Sequence, residues 1–265
     1  MWIDTHCHLD ASPLASDSAV VAAAAAARGV GMIVIPAVEV GNFDTVRLLA
    51  ASQPNCTYAL GIHPVCVPAA TQADLDTLRA AMPAALADPR FVAIGEIGLD
   101  FFIPALCTPE MREKQAHFYV EQLKIARDFG LPVLLHVRRS QDIILKYLRR
   151  IAVAGGIAHA FNGSQQQADS FIDLGLKLGF GGAMTFTRAL QIRRLAAELP
   201  LAALVLETDA PDISPAWIHP ARNSPEYLPE IGAVLAALRQ LSPEATAAAT
   251  SGNAHAALPR LALLR

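Results

Sequence analysis

The chain opens with MWIDTHCHLD (Met1–Asp10), and this stretch decides between two common ways of arranging parallel strands and helices. Trp2–Thr5 is a short apolar run that predicts a buried strand, and a loop reading HCHLD follows it. An open doubly wound sheet places a glycine-rich turn after its first strand. The loop at His6–Asp10 contains no glycine. The opening therefore disfavours the open sheet and favours a closed barrel.

The rest of the chain repeats the same unit of apolar run and helical run. Continuous apolar runs suit parallel strands covered on both faces, and strands that alternate with helices predict βαβ units. Eight units predict a fold of class α/β, a (β/α)₈ TIM barrel in which the eighth strand pairs with the first. Pro243–Leu258 predicts an extra C-terminal helix. The other seven predicted strands are Gly31–Ala37, Thr57–Gly61, Val92–Glu96, Val133–His136, Gly156–His159, Lys177–Phe180 and Ala203–Glu207.

Length and composition indicate one domain. The chain has 265 residues, which suits a single α/β barrel, and no shift in composition marks a boundary. We therefore expect residues 1–265 to form a single catalytic domain. The longest stretch without periodicity, Asp209–Pro225, is rich in proline and is interpreted as an active-site loop rather than a linker.

Charge and cysteine content exclude several classes of protein. The net charge is −3 and no basic stripe is visible, which argues against a protein that coats nucleic acid. The four cysteines form no C-x-x-C pair, so a disulfide framework or a zinc ribbon is not expected. No signal peptide and no apolar run of membrane-spanning length is visible. We expect a cytoplasmic monomer without an obligate protein partner.

Residue types that bind metals fall at the carboxyl ends of the predicted strands. In a barrel of this kind that face holds the active site, so ligands scattered over two hundred residues converge in one pocket. His6 and His8 share one side of the first strand because strand side chains alternate, and Asp4 is expected to orient one of their rings. The seven candidates are His6, His8, His63, Glu96, His136, His159 and Asp209.

Glu96 lies between two glycines at the end of an apolar strand, in VAIGEIGLD. A carboxylate buried there without a partner is costly. Its two oxygens suit a bridge between two metal ions. His136 and His159 form a natural pair for the second cation. Asp209 is a candidate both for a ligand and for the general base that takes a proton from the attacking water.

Six motifs in these positions resemble the TatD family of metal-dependent deoxyribonucleases. They are DTHCHLD, GIHP, GEIGLDFF, LLHVRR, HAFNGS and ETDAP, and they occur in the family's order over nearly the whole chain. The segments NSPEYL (Asn223–Leu228) and SGNAHAAL (Ser251–Leu258) are also similar to the family's closing segments. HAFNGS and ETDAPD are most similar to a bacterial branch of the family with a poorly defined substrate.

The resemblance implies a function and a role for each residue. The implied function is a deoxyribonuclease that cleaves phosphodiesters from 3′ towards 5′ at single-stranded DNA ends, with a water activated by two divalent cations per subunit (Zn²⁺, Mn²⁺ or Mg²⁺). Glu96 would bridge the cations. One cation would also bind His6, His8 and Asp209, and the other His136 and His159. His63 would act in catalysis at the substrate phosphate or leaving group, and the further implied substrate contacts are Arg138, Asn223 and Tyr227.

Three alternatives use the same residues. A small-molecule amidohydrolase or esterase would share the H-x-H motif and the last aspartate. Many binuclear members of that class bridge their metals through a modified lysine at the fourth strand, where this chain has Glu96. A D-aminoacyl-tRNA deacylase would direct the same centre at a carboxylic ester. A barrel that retains its metal site as a binding or structural module is the non-enzymatic alternative.

Overall fold

A computed structural model describes residues 1–264 and contains eight parallel strands. Each strand pairs with the next along the chain, so that the order in the sheet is the order in the sequence. This order, with a helix between most successive strands, is the predicted (β/α)₈ arrangement. The strands are β1 (Trp2–Asp4), β2 (Val30–Pro36), β3 (Cys56–Leu60), β4 (Phe91–Asp100), β5 (Val133–Arg138), β6 (Gly156–Ala158), β7 (Leu176–Phe180) and β8 (Leu204–Leu206).

The first and last strands meet and close the barrel. The backbone N–H of Thr5 donates to the carbonyl of Leu206 at 3.1 Å. The carboxylate of Asp4 accepts hydrogen bonds from the hydroxyl and the backbone N–H of Thr208, at 2.6 Å and 3.0 Å. The TIM-barrel prediction is confirmed. Asp4 joins the two strand ends, and its Oδ1 also accepts from the backbone N–H of His6 at 3.2 Å, so it holds the backbone of this histidine and does not contact Nδ1 of its ring.

Helices cover the outside of the barrel, and several begin where the sequence supplies a cap. The helix that starts at Pro109 follows Thr108, whose hydroxyl accepts from the N–H of Met111. The helices are α1 (Ser12–Ala15), α2 (Ser18–Ala27), α3 (Phe43–Ser52), α4 (Gln72–Ala87), α5 (Pro109–Asp128), α6 (Gln141–Leu148), α7 (Gln165–Asp173), α8 (Leu190–Glu198), α9 (Leu228–Arg239) and α10 (Pro243–Ala257). No helix within residues 1–264 is both long enough and apolar enough to cross a membrane.

Buried apolar side chains pack in two places, in an outer cluster between the barrel and its helices and in an inner cluster inside the barrel. Side chains alternate along β1, so Trp2 packs with the outer helices while Ile3 belongs to the inner cluster. Ala254 of α10 and Leu258 beyond it also pack into the inner cluster. The guanidinium of Arg260 donates to the carbonyl of Phe91, at the start of β4, at 2.6 Å. The predicted C-terminal helix therefore closes the end of the barrel opposite the strand carboxyl ends.

Two strands run further than the sequence pattern indicated. The predicted fourth and fifth strands end at Glu96 and His136, whereas the observed β4 and β5 continue to Asp100 and Arg138. The continuation is held by strand pairing, since Asp100 lies opposite Arg138 in the parallel register. These two strands therefore extend beyond the candidate metal ligands and form a raised wall on one side of the barrel mouth.

Candidate metal centre

Glu96 lies at the centre of the barrel mouth and is only 1% exposed. One of its oxygens, Oε2, faces two imidazoles, 3.1 Å from Nε2 of His6 and 3.3 Å from Nε2 of His8. Asp209 completes this side, because its Oδ1 lies 3.6 Å and 3.8 Å from the same two nitrogens. Two imidazole nitrogens with two carboxylate oxygens form a suitable donor set for one divalent cation.

The other oxygen of Glu96, Oε1, faces a second group of imidazoles. It lies 2.9 Å from Nδ1 of His136 and 2.9 Å from Nε2 of His159. Nε2 of His63 lies 3.3 Å away on the same side. The two oxygens of one buried carboxylate thus face separate sets of nitrogen donors.

Several imidazole nitrogens converge in this centre, and a bound cation accounts for their closeness better than hydrogen bonds between the rings do. Nε2 of His6 and Nε2 of His8 lie 3.2 Å apart, close enough that two lone pairs would face each other unless a proton or a cation lies between them. The ligand atoms of His6, His8 and Asp209 all lie within 4.8 Å of one another. The donor set mixes nitrogen and oxygen, which suits zinc or manganese and also admits magnesium through its carboxylates.

Asp100 orients His136 and also shapes the loop after β4. Its Oδ2 lies 3.2 Å from Nε2 of His136, which leaves Nδ1 of that ring directed at Glu96. Its Oδ1 accepts from the backbone N–H groups of Phe102 and Ile103. Burial opposes ionisation of Asp100, but the bonds from His136 and these two N–H groups outweigh it and lower its pKa to about 2.

Glu207 is a buried acid beside the site for which the sequence pattern predicted no role. It accepts a hydrogen bond from the backbone N–H of Ala160, and its Oε1 lies 3.8 Å from Nδ1 of His159. Burial raises the pKa of Glu207 to about 8, although the neighbouring His159 opposes this shift. Gly179 is required beside it, since a Cβ there would lie 2.1 Å from Oε2 of Glu207. The only signal for Glu207 in the sequence is its position as the first residue of the ETDAP motif.

The likeness of the chain to known proteins agrees with this geometry. The model of the family described as TatD-related DNase matches residues 3–259. The chain belongs to the TatD family.

Individual TatD relatives cover the chain almost completely. It is 40% identical over 255 residues to the uncharacterised metal-dependent hydrolase YjjV of Escherichia coli K12, covering 96% of each chain. It is 33% identical over 259 residues to the 3′-5′ ssDNA/RNA exonuclease TatD of Salmonella typhimurium LT2, covering 95% of this chain and 96% of that one. A crystal structure of YjjV superposes with a TM-score of 0.91 at 39% identity and covers 97% of this chain and 98% of its own. This TatD-family chain is a metal-dependent hydrolase.

The candidate centre opens into a cavity of about 960 Å³ at the mouth of the TatD barrel. His63 and Arg138 line this cavity, as do the other candidate ligands apart from His6, which lies fully buried behind them. A smaller pocket of about 590 Å³ adjoins it between the loops after β7 and β8, with Phe186, Arg188 and His219 in its wall. The two spaces together can accept a ligand larger than a small ester.

Two of the implied substrate contacts lie elsewhere in this TatD structure. Asn223 is fully buried, and its amide nitrogen donates to the backbone carbonyls of Thr208 and Asp212, each at 2.9 Å. It therefore holds the long loop after β8 together and has no free group for a substrate. Tyr227 ends a short 3₁₀ turn that packs against α2, outside the cavity. The structure thus places Asn223 inside the loop after β8 and Tyr227 just beyond it, and neither residue lines the cavity.

The charges in the TatD centre predict that cation binding releases protons. Burial lowers the pKa of His6 to about 3, so this ring is neutral and ready to bind a metal. Burial also opposes protonation of His8 and His159, but the carboxylates around them, above all Glu96, outweigh it and raise their pKa values to about 9 and about 10. Both rings therefore carry a proton at pH 7 that a cation must displace.

We expect His8 and His159 to release about two protons from each chain when cations bind at pH 7, and His136, whose pKa is also raised, to add to this release. The apparent affinity should increase as the pH is raised from 7 towards 9, because competition from protons on His8 and His159 falls. Calorimetric titration of the metal-free protein with Mn²⁺, repeated in buffers of different ionisation enthalpy, measures the protons directly. An affinity that does not change between pH 7 and pH 9 would contradict this account of the charges.

Proposed function

We propose that this chain is a nuclease that removes nucleotides from the 3′ ends of single-stranded DNA. Two divalent cations would be held by the residues on either side of Glu96. Residues 1–265 would act as one catalytic domain. The observation that carries the proposal is the division of the Glu96 oxygens, with Oε2 beside His6 and His8 and Oε1 beside His136 and His159. A single carboxylate placed between two donor sets is typical of two-metal phosphodiester hydrolysis.

Bound cations would lower the pKa of a water molecule, hold a phosphoryl oxygen and stabilise the leaving oxygen. Asp209 would accept the proton of that water. Its carboxylate reaches the cavity, and burial raises its pKa above the usual value, which improves its match to proton transfer near neutral pH. Its backbone lies in the left-handed region, with φ of 55°, in the turn that follows β8. This conformation is uncommon for a residue other than glycine, and such residues cluster at functional sites.

His63 would donate a hydrogen bond to the substrate. Its Nδ1 accepts from the backbone N–H of Val65 at 3.0 Å, so the proton of the neutral ring lies on Nε2. This nitrogen lies 3.0 Å from Nδ1 of His136 and 3.3 Å from Oε1 of Glu96, beside the donors of the candidate centre. Burial lowers the pKa of His63 to about 4, and the ring therefore stays neutral at physiological pH. His63 lines the cavity, so when cations occupy Glu96 and His136 its N–H would be left for a phosphate or leaving oxygen of the substrate.

The phosphodiester substrate is supported by the relative from Salmonella typhimurium, which is named as a 3′-5′ exonuclease. The relative at 40% identity is uncharacterised, so small esters and D-aminoacyl-tRNA remain the alternatives. A substrate with several phosphates would be held by the cations and by a few arginines, since the net charge of the chain is −3. Arg138 on the cavity wall is the arginine that the family resemblance singled out.

Digestion of end-labelled single-stranded DNA tests the proposal. With Mg²⁺ or Mn²⁺ present, we expect 5′-labelled oligonucleotides to shorten stepwise and 3′-labelled ones to release a labelled mononucleotide at once. A chelator should abolish both reactions. Protein that retains its cations but leaves DNA intact, while it hydrolyses small esters or D-aminoacyl-tRNA, would overturn the nuclease proposal in favour of those substrates.

A further inference from the structure

Two arginines and a phenylalanine lie together on the raised wall formed by β4 and β5. The guanidinium carbon of Arg138 lies 3.8 Å from the centre of the Phe102 ring, and that of Arg139 lies 4.6 Å from it. All three residues are exposed, and all three line the cavity above the metal centre. We call them the arginine–phenylalanine cluster.

The backbone holds this cluster in place from both strands. Asp100 pairs with Arg138 in the sheet, and the N–H of Phe101 donates to the carbonyl of Arg138 at 2.9 Å. The N–H of Phe102 donates to Asp100, the same carboxylate that orients the ring of His136. The position of Phe102 is therefore linked through one buried acid to a candidate metal ligand.

Arg139 leaves the strand in an unusual conformation. Its φ is 54°, in the left-handed region that residues other than glycine seldom adopt. Such a conformation costs free energy and persists where the surroundings maintain it, often at a binding site. At Arg139 it turns the chain immediately after β5 while the guanidinium remains over Phe102.

The charges of the cluster are largely free for a ligand. Arg139 forms no ion pair with any residue in the range 1–264, and Arg138 lies 3.7 Å from Asp100, whose carboxylate is already shared with His136. The flat face of an aromatic ring stabilises guanidinium groups and restricts their motion. Two ordered cationic groups on the rim of an otherwise acidic protein form a site for anions, and guanidinium groups are well matched to phosphate.

We propose that the arginine–phenylalanine cluster binds phosphates of a polynucleotide strand. These phosphates lie on the 5′ side of the phosphate that is cleaved at the metal centre. The inference rests on the proposed function and makes it more specific. Because two cationic groups lie beyond the metal centre, the preferred substrate is a chain with several consecutive phosphodiesters and not an isolated small diester. Phe102 acts as a positioning residue, since it contributes no charge and orients both arginines.

Binding of a fluorescent ten-nucleotide deoxythymidine strand tests the inference without turnover. The measurement uses the Asp209→Asn protein with Mn²⁺ over a range of salt concentrations. We expect Arg139→Gln to weaken binding about tenfold at low salt. It should also reduce the slope of log affinity against log salt by roughly 0.7, the value for one phosphate contact on a single strand. Phe102→Leu should weaken binding with a smaller change in slope, because both charges remain.

Arg149→Gln is the matched control. Arg149 is exposed and caps the end of α6, on the opposite side of the barrel from the mouth, so the substitution removes the same charge elsewhere. Equal affinities and salt slopes for the Arg139→Gln and Arg149→Gln proteins would overturn the inference.

A second measurement separates failure of this inference from failure of the proposed function. The ratio of kcat/KM for the oligonucleotide to that for bis(p-nitrophenyl) phosphate should fall about tenfold in Arg139→Gln and not in Arg149→Gln. A wild-type chain that hydrolyses DNA, with the same ratio in both variants, contradicts the inference alone. A metal-loaded wild-type chain that neither binds nor cleaves DNA contradicts the proposed function as well.

Discussion

Replacement of Asp209 by asparagine should lower kcat on single-stranded DNA by about a thousandfold or more, the range in which positioned general bases act. Asparagine keeps the size of the side chain and one oxygen near His6 and His8, but its amide cannot accept the proton of the attacking water. The cation content should fall much less than the activity, because the other donors of the centre remain. Steady-state kinetics with elemental analysis of the same preparation gives both values.

Asp212→Asn provides the control for this effect. Asp212 lies three positions further along the same loop, is exposed, lines the cavity, and forms no ion pair with any residue that the structure describes. Its substitution removes the same charge from the same loop without removing a group that contacts the candidate metal ligands, and should leave kcat within about twofold. Similar losses in both variants would mean that loop charge, and not proton transfer at Asp209, controls the rate.

Replacement of Glu96 by glutamine should remove cations as well as activity. A glutamine side chain has one oxygen acceptor and an NH₂ group that only donates. It therefore cannot supply a metal-binding oxygen on both sides, towards His6 and His8 and towards His136 and His159. We expect the bound metal to fall from about two ions per chain to one or fewer, and kcat to fall by about a thousandfold or more. Elemental analysis after gel filtration measures the first effect, and DNA digestion measures the second.

Glu226→Gln serves as the control, since Glu226 lies in the 3₁₀ turn after the long loop and away from the cavity. Circular dichroism and thermal unfolding should first establish that the Glu96→Gln protein is folded. A folded Glu96→Gln protein that still binds two ions per chain would contradict the bridging role of Glu96. The candidate centre would then need another group between the two sets of donors.

The positions of most candidate ligands were predictable because of how a parallel barrel is built. His6, Glu96, His136 and Asp209 follow apolar runs that are separated by helical segments. A barrel brings the carboxyl ends of all its strands to one face whatever their distance in the chain. Polar residues at these points were therefore expected to meet, and the structure places them around one buried carboxylate.

The supporting residues were harder to predict because their partners are remote in sequence. Asp100 contacts His136, which is 36 positions away, and Glu207 contacts Ala160, which is 47 positions away. No local pattern indicates which distant group a carboxylate will meet. Asn223 shows the opposite problem, since its motif suggested a pocket residue and its amide is used within the loop.

The raised wall was missed for a different reason. Glu96 interrupts the apolar run of the fourth strand, so a strand predicted from hydrophobicity ends there. The observed β4 continues to Asp100 because its backbone groups pair with β5, and backbone pairing leaves no trace in side-chain type. The left-handed conformation of Arg139 is likewise absent from any sequence pattern. These two features create the arginine–phenylalanine cluster.

The seam between β1 and β8 has a consequence for how the enzyme is made. Thr5 and Leu206 are 201 positions apart, and contacts at such separations form slowly because chain entropy must be lost before they contribute. During synthesis His6 and His8 leave the ribosome long before Asp209 exists. A chain paused at that stage exposes the unpaired edge of β1, which can associate with other chains. Substitutions that weaken Asp4–Thr208 should therefore lower the yield of active protein in cells even where the finished catalytic site is unchanged.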